Sequence, residues 1–219
     1  MVHVVYGLWL AQNEARDGRK IAPSHEIADT VCALIFEWRN IHVPRVRQEK
    51  HSINQRWTPP DVGWIKVNSD GAVTRNINKI GGGAVLRDHQ GALVAATCQV
   101  FHAQTDPEAV EILACREALK LAVDRGATNV HVEMDSLAVV QMLKDPNRNM
   151  AAVGPWIQEL KEVLRSFDNF KVEWVRRSAN VVAHKLTKVG VGDELCKVWI
   201  GVPPDFILDV ISDDIPSYG

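Results

Sequence analysis

Three acidic residues stand where a chain would place them to share one ion. Trp64, Ile65, Val67 and Asn68 lead to Asp70-Gly71, the pattern of a strand that ends in a turn. Asp135 ends a second, β-branched run from Val130 to Met134. Strand ends gather side chains at one rim of an open sheet, where ligands tend to bind. Glu111 falls between the two in sequence. On a helix turning about 100° per residue, Ala114, Cys115, Ala118 and Ala122 lie within about 60° of it, while Arg116, Lys120 and Asp124 lie on the far side. Glu111 therefore occupies the middle of a packing face, where a carboxylate is costly unless paired or metal-bound. Each acid has a second reading when taken singly: Asp70 as a turn residue, Asp135 as a helix N-cap, Glu111 as the partner of a buried arginine. Together they point to one carboxylate site. Such sites suit Mg²⁺, a hard cation that prefers oxygen ligands. Two such ions about 4 Å apart can activate a water and stabilise the leaving oxygen of a phosphodiester.

The elements that must position these acids are legible from turn and cap residues. Gly81-Gly82-Gly83 opens a second apolar run, Ala84 to Leu86, and the turn Asp88-His89-Gln90-Gly91 leads to a third, Ala92 to Phe101. Three runs joined by short turns predict an antiparallel meander. Asp106-Pro107-Glu108 supplies an N-cap, a first-turn proline and a first-turn acid for a helix reaching about Arg125, where Gly126 stops it. After the strand that ends at Asp135, helices are expected from Ser136 to about Leu143 and from about Val153 to Ser166. A last strand, Phe170 to Val175, precedes a helix capped by Asn180 and running through about Val189. The order β-β-β-α-β-α-α-β-α predicts an α/β fold, a five-stranded mixed sheet with helices on its faces.

Around this domain, expected over residues 63–190, lie less structured flanks. Residues 1–41 read as a helical extension, with one piece around Val4 to Arg16 and another after Pro23, capped by Ser24. The second carries Ile27, Val31, Leu34, Ile35 and Trp38 at helical spacing. Pro44, Pro59 and Pro60 among Arg45, Arg47, Lys50 and Arg56 mark residues 42–62 as a linker, and residues 191–219, with Pro203-Pro204 and Asp213-Asp214, as a loosely attached tail. A net charge of −2 withholds the basic signature of a nucleic-acid binder, although a basic groove beside an acidic site also sums to near zero. Cys32, Cys98, Cys115 and Cys196 show no C-x-x-C spacing, which argues against zinc and for reduced thiols. No secretory leader or spanning apolar segment is evident, so an intracellular monomer with no membrane partner is expected.

Four segments now carry a resemblance. Val67-Asn68-Ser69-Asp70-Gly71-Ala72, Val110-Glu111-Ile112-Leu113-Ala114 with Glu117-Ala118-Leu119, Val132-Glu133-Met134-Asp135-Ser136 and Ala179-Asn180-Val181-Val182-Ala183-His184 resemble, in order and spacing, the motifs of type 1 ribonuclease H. The resemblance is strongest to the plant reverse-transcriptase-like branch at the C-terminus of non-LTR retrotransposon polyproteins, and Leu8 to Arg16 is similar to the stretch that precedes it there. The resemblance implies a ribonuclease H-like fold that cuts the RNA strand of an RNA–DNA hybrid with two Mg²⁺ ions, Mn²⁺ being the alternative. Asp70, Glu111 and Asp135 match three of the family's four acidic metal ligands. His184 stands in place of the fourth, where imidazole is a weaker Mg²⁺ ligand but a competent proton shuttle. Ser69, Gly71, Ala72 and Asn180 match positions for nucleic-acid contact, Asn180 having an N-cap as its other role. The segment from Lys144 to Ala152 lacks a long basic insertion, for which Lys171, Arg176, Arg177, Lys185 and Lys188 are the available substitutes. Two other readings stand beside this one: a non-catalytic hybrid- or RNA-binding module, and a protein-interaction domain resting on Trp9 and Trp38.

Overall fold

The computed structural model describes residues 55–74, 79–101, 106–146 and 152–214. The helices expected in residues 1–41 and most of the expected linker lie outside them. Strands β1 (Ile65–Thr74), β2 (Lys79–Arg87) and β3 (Leu93–Phe101) form the antiparallel meander. β1 does not end in the turn expected at Asp70: Asp70 and Gly71 pair with Gly83 and Gly82, and the strand runs on to Thr74. Its second turn closes on Asp88, whose Oδ1 accepts from the backbone N–H groups of Gln90 and Ala92 at 2.8 and 2.9 Å. Helix α1 (Pro107–Asp124) opens with the Asp106 side chain accepting from the Glu108 N–H, and the chain leaves it at Gly126, whose φ of +72° an L side chain rarely adopts. Next come β4 (Asn129–Met134), α2 (Leu137–Lys144), α3 (Gly154–Arg165), β5 (Asn169–Trp174), a 3₁₀ turn (Arg177–Ala179) and α4 (Val181–Asp193). β4 runs parallel to β1, and β5 parallel to β4.

The fold class is the expected one, with a sheet wider by one strand. β6 (Lys197–Ile200) pairs antiparallel with β3, giving the order β5-β4-β1-β2-β3-β6, and α5 (Asp205–Asp214) follows it. The described part of the expected tail is thus folded rather than loose. Ile207 and Ile211, one turn apart, are buried with Val85, Val182 and Leu186, and the Asp214 carboxylate pairs with buried Arg87 at 2.8 Å.

Apolar residues of α1, α2 and α3 bury one face of the sheet, among them Ile112, Leu119, Val140, Ile157 and Leu160. On the other face α4 and α5 cover β2 and β3. The remainder of that face is polar, with Lys66, Asn68 and Glu133 all buried. Part of its cover comes from the last residues of the expected linker. Trp57 is 3% exposed, its Nε1 donates to Asn68 Oδ1 at 2.9 Å, and the Arg87 guanidinium lies 3.5 Å from its ring centroid. Lys66 Nζ donates to the Thr58 carbonyl at 2.7 Å and pairs with Glu133, whose other oxygen accepts from the Asn68 amide.

Candidate active site

β1 sits in the middle of the sheet, and two glycines let helices close on it from both sides near Asp70. A Cβ on Gly71 would stand 2.7 Å from the Glu111 backbone nitrogen, so only glycine allows α1 to approach there. A Cβ on Gly83, the register partner of Asp70 on β2, would stand 2.4 Å from the Thr187 nitrogen of α4. α4 is then tied down by Thr187 Oγ1, which donates to the Asp70 carbonyl at 2.8 Å. Close packing thus brings α1 and α4 to the same point on one strand.

The result is a compact carboxylate cluster. Asp70, Glu111 and Asp135 each present a ligand oxygen, and these oxygens lie within 4.8 Å of one another. Asp70 is buried, while Glu111 and Asp135 are partly exposed. The Gly71 N–H donates to Glu111 Oε2 at 3.0 Å. Burial, then the charges of Asp70 and Asp135, raise Glu111 well above the usual carboxylate range. Burial and the Asp70 charge raise Asp135 as well, with Arg177 opposing. The protein holds negative charge here that its own groups do not fully compensate, and the donors are all oxygen. That is the environment a hard divalent cation needs, and the three residues fit one.

His184 reaches the same place from the first turns of α4. Its Nδ1 lies 3.1 Å from Asp70 Oδ2, and Arg177 Nη2 lies against the ring edge, 2.5 Å from Nδ1 and 2.9 Å from Nε2. Arg177 Nη1 is also 3.5 Å from Asp135 Oδ2. A chain of contacts therefore runs Asp70–His184–Arg177–Asp135 around the rim. Sequence reasoning counted Arg177 among general basic substitutes and missed this position; its place seven residues before His184, on the turn entering α4, was the available signal.

The four expected nucleic-acid positions are placed differently from one another. Ser69 and Asn180 are buried at 0% and 1% exposure, and Asn180 Nδ2 donates to the Ser69 carbonyl at 2.9 Å. Neither side chain reaches the surface, and Asn180 occupies the N-cap position of α4 without a side-chain capping bond. The Gly71 N–H is already committed to Glu111, which leaves partly exposed Ala72. Cys115, on the buried face of α1, is pushed up to about 12 by burial and has no thiolate to offer.

A second group, His131, Glu133 and Glu173, also brings ligand atoms within 4.8 Å. It differs in kind. The Lys66 ammonium and the Asn68 amide occupy both oxygens of Glu133, so its charge is already matched.

Residues 68–190 match the family described as Reverse transcriptase-like. The chain is 35% identical over 158 residues, 72% of its length, to "Putative ribonuclease H protein At1g65750" of Arabidopsis thaliana. It spans about a quarter of that relative, the matched part being 25% of it. Among solved structures, it resembles the N-terminal RNase H domain of rv2228c from Mycobacterium tuberculosis, with 24% identity and a TM-score of 0.55 over 59% of this chain and 94% of that one. It likewise resembles RNase H1 of the halophilic archaeon Halobacterium salinarum NRC-1, at 24% identity and a TM-score of 0.53 over 59% and 98%. A third likeness is to LC11-RNase H1 in complex with an RNA/DNA hybrid, at 18% identity and a TM-score of 0.54 over 59% and 98%. At these identities the solved structures establish the fold.

Proposed function

The chain belongs to the reverse transcriptase-like family, and on that premise we propose that it is a divalent-metal-dependent endonuclease that hydrolyses the RNA strand of RNA–DNA hybrids. The observation that carries this reading is the convergence of Asp70, Glu111 and Asp135 within 4.8 Å, with charge left over for a cation. Asp70, Glu111 and Asp135 would hold Mg²⁺, or Mn²⁺ in its place, which supplies Lewis-acid stabilisation of the charge that develops at the phosphodiester. Asp70, central and buried, is the acid best placed to serve two ions. Gly71 orients Glu111 through its N–H. His184, beside Asp70 and in contact with Arg177 at both ring nitrogens, is the group that could accept or return a proton once Arg177 turns towards substrate. Arg177, with a 59% exposed side chain at the rim, is the cation available to a phosphate.

His184 also favours a second reading, a module that binds hybrids without cutting them, because imidazole replaces an oxygen ligand at the fourth position. One assay separates the two. The full chain is incubated with a strand-labelled hybrid in Mg²⁺ or Mn²⁺, beside Asp70→Asn and His184→Asp. Endonuclease activity predicts cleavage by the wild-type chain and at least about a 100-fold loss in Asp70→Asn. Raised activity in His184→Asp would identify the fourth position as limiting. An intact RNA strand with both ions overturns the nuclease reading, and hybrid binding under those conditions selects the second.

A further inference from the structure

We propose that Gln55, thirteen residues ahead of the family-matched stretch, is a positioning residue for this site: it clamps the turn that carries Arg177. Its functional consequence rests on the nuclease reading above; its structural basis does not. The turn joins β5 to α4 and is held at both ends by the sheet. The Val175 N–H donates to the Met134 carbonyl at 2.9 Å, and Asn180 Nδ2 donates to the Ser69 carbonyl at 2.9 Å. Between these anchors, one residue grips Arg177 from both sides. The Arg176 N–H donates to Gln55 Oε1 at 3.0 Å, and Ser178 Oγ donates to the Gln55 carbonyl at 2.8 Å.

Gln55 is itself exposed, but it stands two residues from Trp57, which is 3% exposed, bonded to Asn68 and stacked on Arg87. The clamp is thus mounted on a rigid base. Its own bonds are solvent-facing, so they add little to global stability. What they restrict is the local freedom of a surface turn whose guanidinium must stay between Asp135 and His184. A group held within a fraction of an ångström of its working place loses efficiency when its support is loosened.

The test uses the full chain with Gln55→Ala, which removes the side-chain acceptor, and Gln55→Glu, which keeps it. Three quantities are read: melting temperature, amide hydrogen exchange at Arg176, and kcat and KM on a labelled hybrid. For Gln55→Ala the expected result is a melting temperature within about 2 °C of wild type. Exchange at Arg176 should be about 3- to 10-fold faster, the range expected when one solvent-facing bond is lost. kcat should fall by a similar factor, with KM changing less than about twofold. Gln55→Glu should restore exchange and kcat. Unchanged exchange at Arg176 in Gln55→Ala overturns the clamp, as does faster exchange that Gln55→Glu fails to reverse. Faster exchange with unchanged kcat overturns the positioning role. Should the wild-type chain not cleave, the nuclease reading fails, while the exchange data still decide whether Gln55 holds the turn.

Discussion

Replacing Glu111 with glutamine should stabilise the metal-free fold at neutral and alkaline pH while abolishing most of its response to divalent ions. The amide has nearly the same shape and can still accept from the Gly71 N–H, so the variant removes charge and little else. In the wild-type chain the ligand oxygens of Asp70, Glu111 and Asp135 lie within 4.8 Å of one another. At an effective dielectric of about 20, two unit charges at that separation repel by about 3.5 kcal/mol. Glu111 faces two such neighbours, and proton uptake, the Gly71 N–H and Arg177 relieve part of the strain. A net gain of about 1–3 kcal/mol for the variant is the result, worth about 2–4 °C per kcal/mol in melting temperature. The pH dependence follows from the direction of the shift. Glu111 is raised by burial and by the two aspartates, so between its unfolded value, about 4.3, and its raised folded value the native state holds a proton that the unfolded chain has released. Wild-type stability therefore falls as pH rises through that window, and Asp135, raised for similar reasons, adds in the same sense. Below the window both states are protonated and the variant has no advantage. Mg²⁺ should narrow or reverse the difference at pH 8, since an ion at 100 times its dissociation constant adds about 2.7 kcal/mol to the wild-type chain alone. Urea unfolding across pH, in EDTA and in Mg²⁺, measures each part. A variant less stable than wild type in EDTA at pH 8, or a difference that does not vary with pH, would refute this account of the cluster.

Two further outcomes concern the supports of the site. Asp214→Ala leaves the Arg87 guanidinium, 1% exposed, without its carboxylate and should cost about 2–4 kcal/mol in urea unfolding, with Arg87→Met in the same chain recovering much of the loss; a cost below about 1 kcal/mol would mean that Trp57 alone compensates that charge. Gly83→Ala forces a methyl group to within 2.4 Å of the Thr187 nitrogen and 2.7 Å of the Ala183 carbonyl, both backbone atoms that cannot turn aside. It should lose about 1–3 kcal/mol and shift His184 away from Asp70, seen as a changed His184 ring signal by NMR.

The parts of the fold that were legible in the sequence are those fixed by local chemistry. Asp88 and Gly91 close the meander turn, Asp106 and Gly126 bound α1, and the alanines around Glu111 reveal the face that packs on β1. The acids at 70, 111 and 135 could be grouped because Asp135 follows a strand and Glu111 sits on a packing face, although Asp70, read as a strand end from its Asp-Gly pair, lies inside β1. What the sequence concealed depends on distant partners. β6 is four residues long with a mostly exposed pattern, so its pairing with β3 leaves no periodic signature. Trp57 lies in a proline-rich stretch that reads as a linker, and its burial depends on Asn68 and Arg87 supplied by β1 and β2. Asn180 occupies a cap position, as expected, yet spends its amide on Ser69 across the interface. Arg177 becomes part of the site through a turn whose path is set by Gln55 and the sheet.

The position of β1 between β2 and β4 governs the order in which the site can assemble. Its pairing with β2 joins near neighbours, Gly71 with Gly82, while its pairing with β4 joins Ser69 with Met134 across a long intervening segment. The first can form early as a local hairpin; the second must wait until the entropy of closing a large loop is overcome. Asp70 is carried by the early pair and Asp135 by the late one, so the carboxylate cluster exists only once the parallel strands have joined. A divalent ion held by these carboxylates would therefore have little hold on the folding transition state and would act on the finished protein. Its kinetic signature should be a slower unfolding limb of the chevron with the refolding limb nearly unmoved.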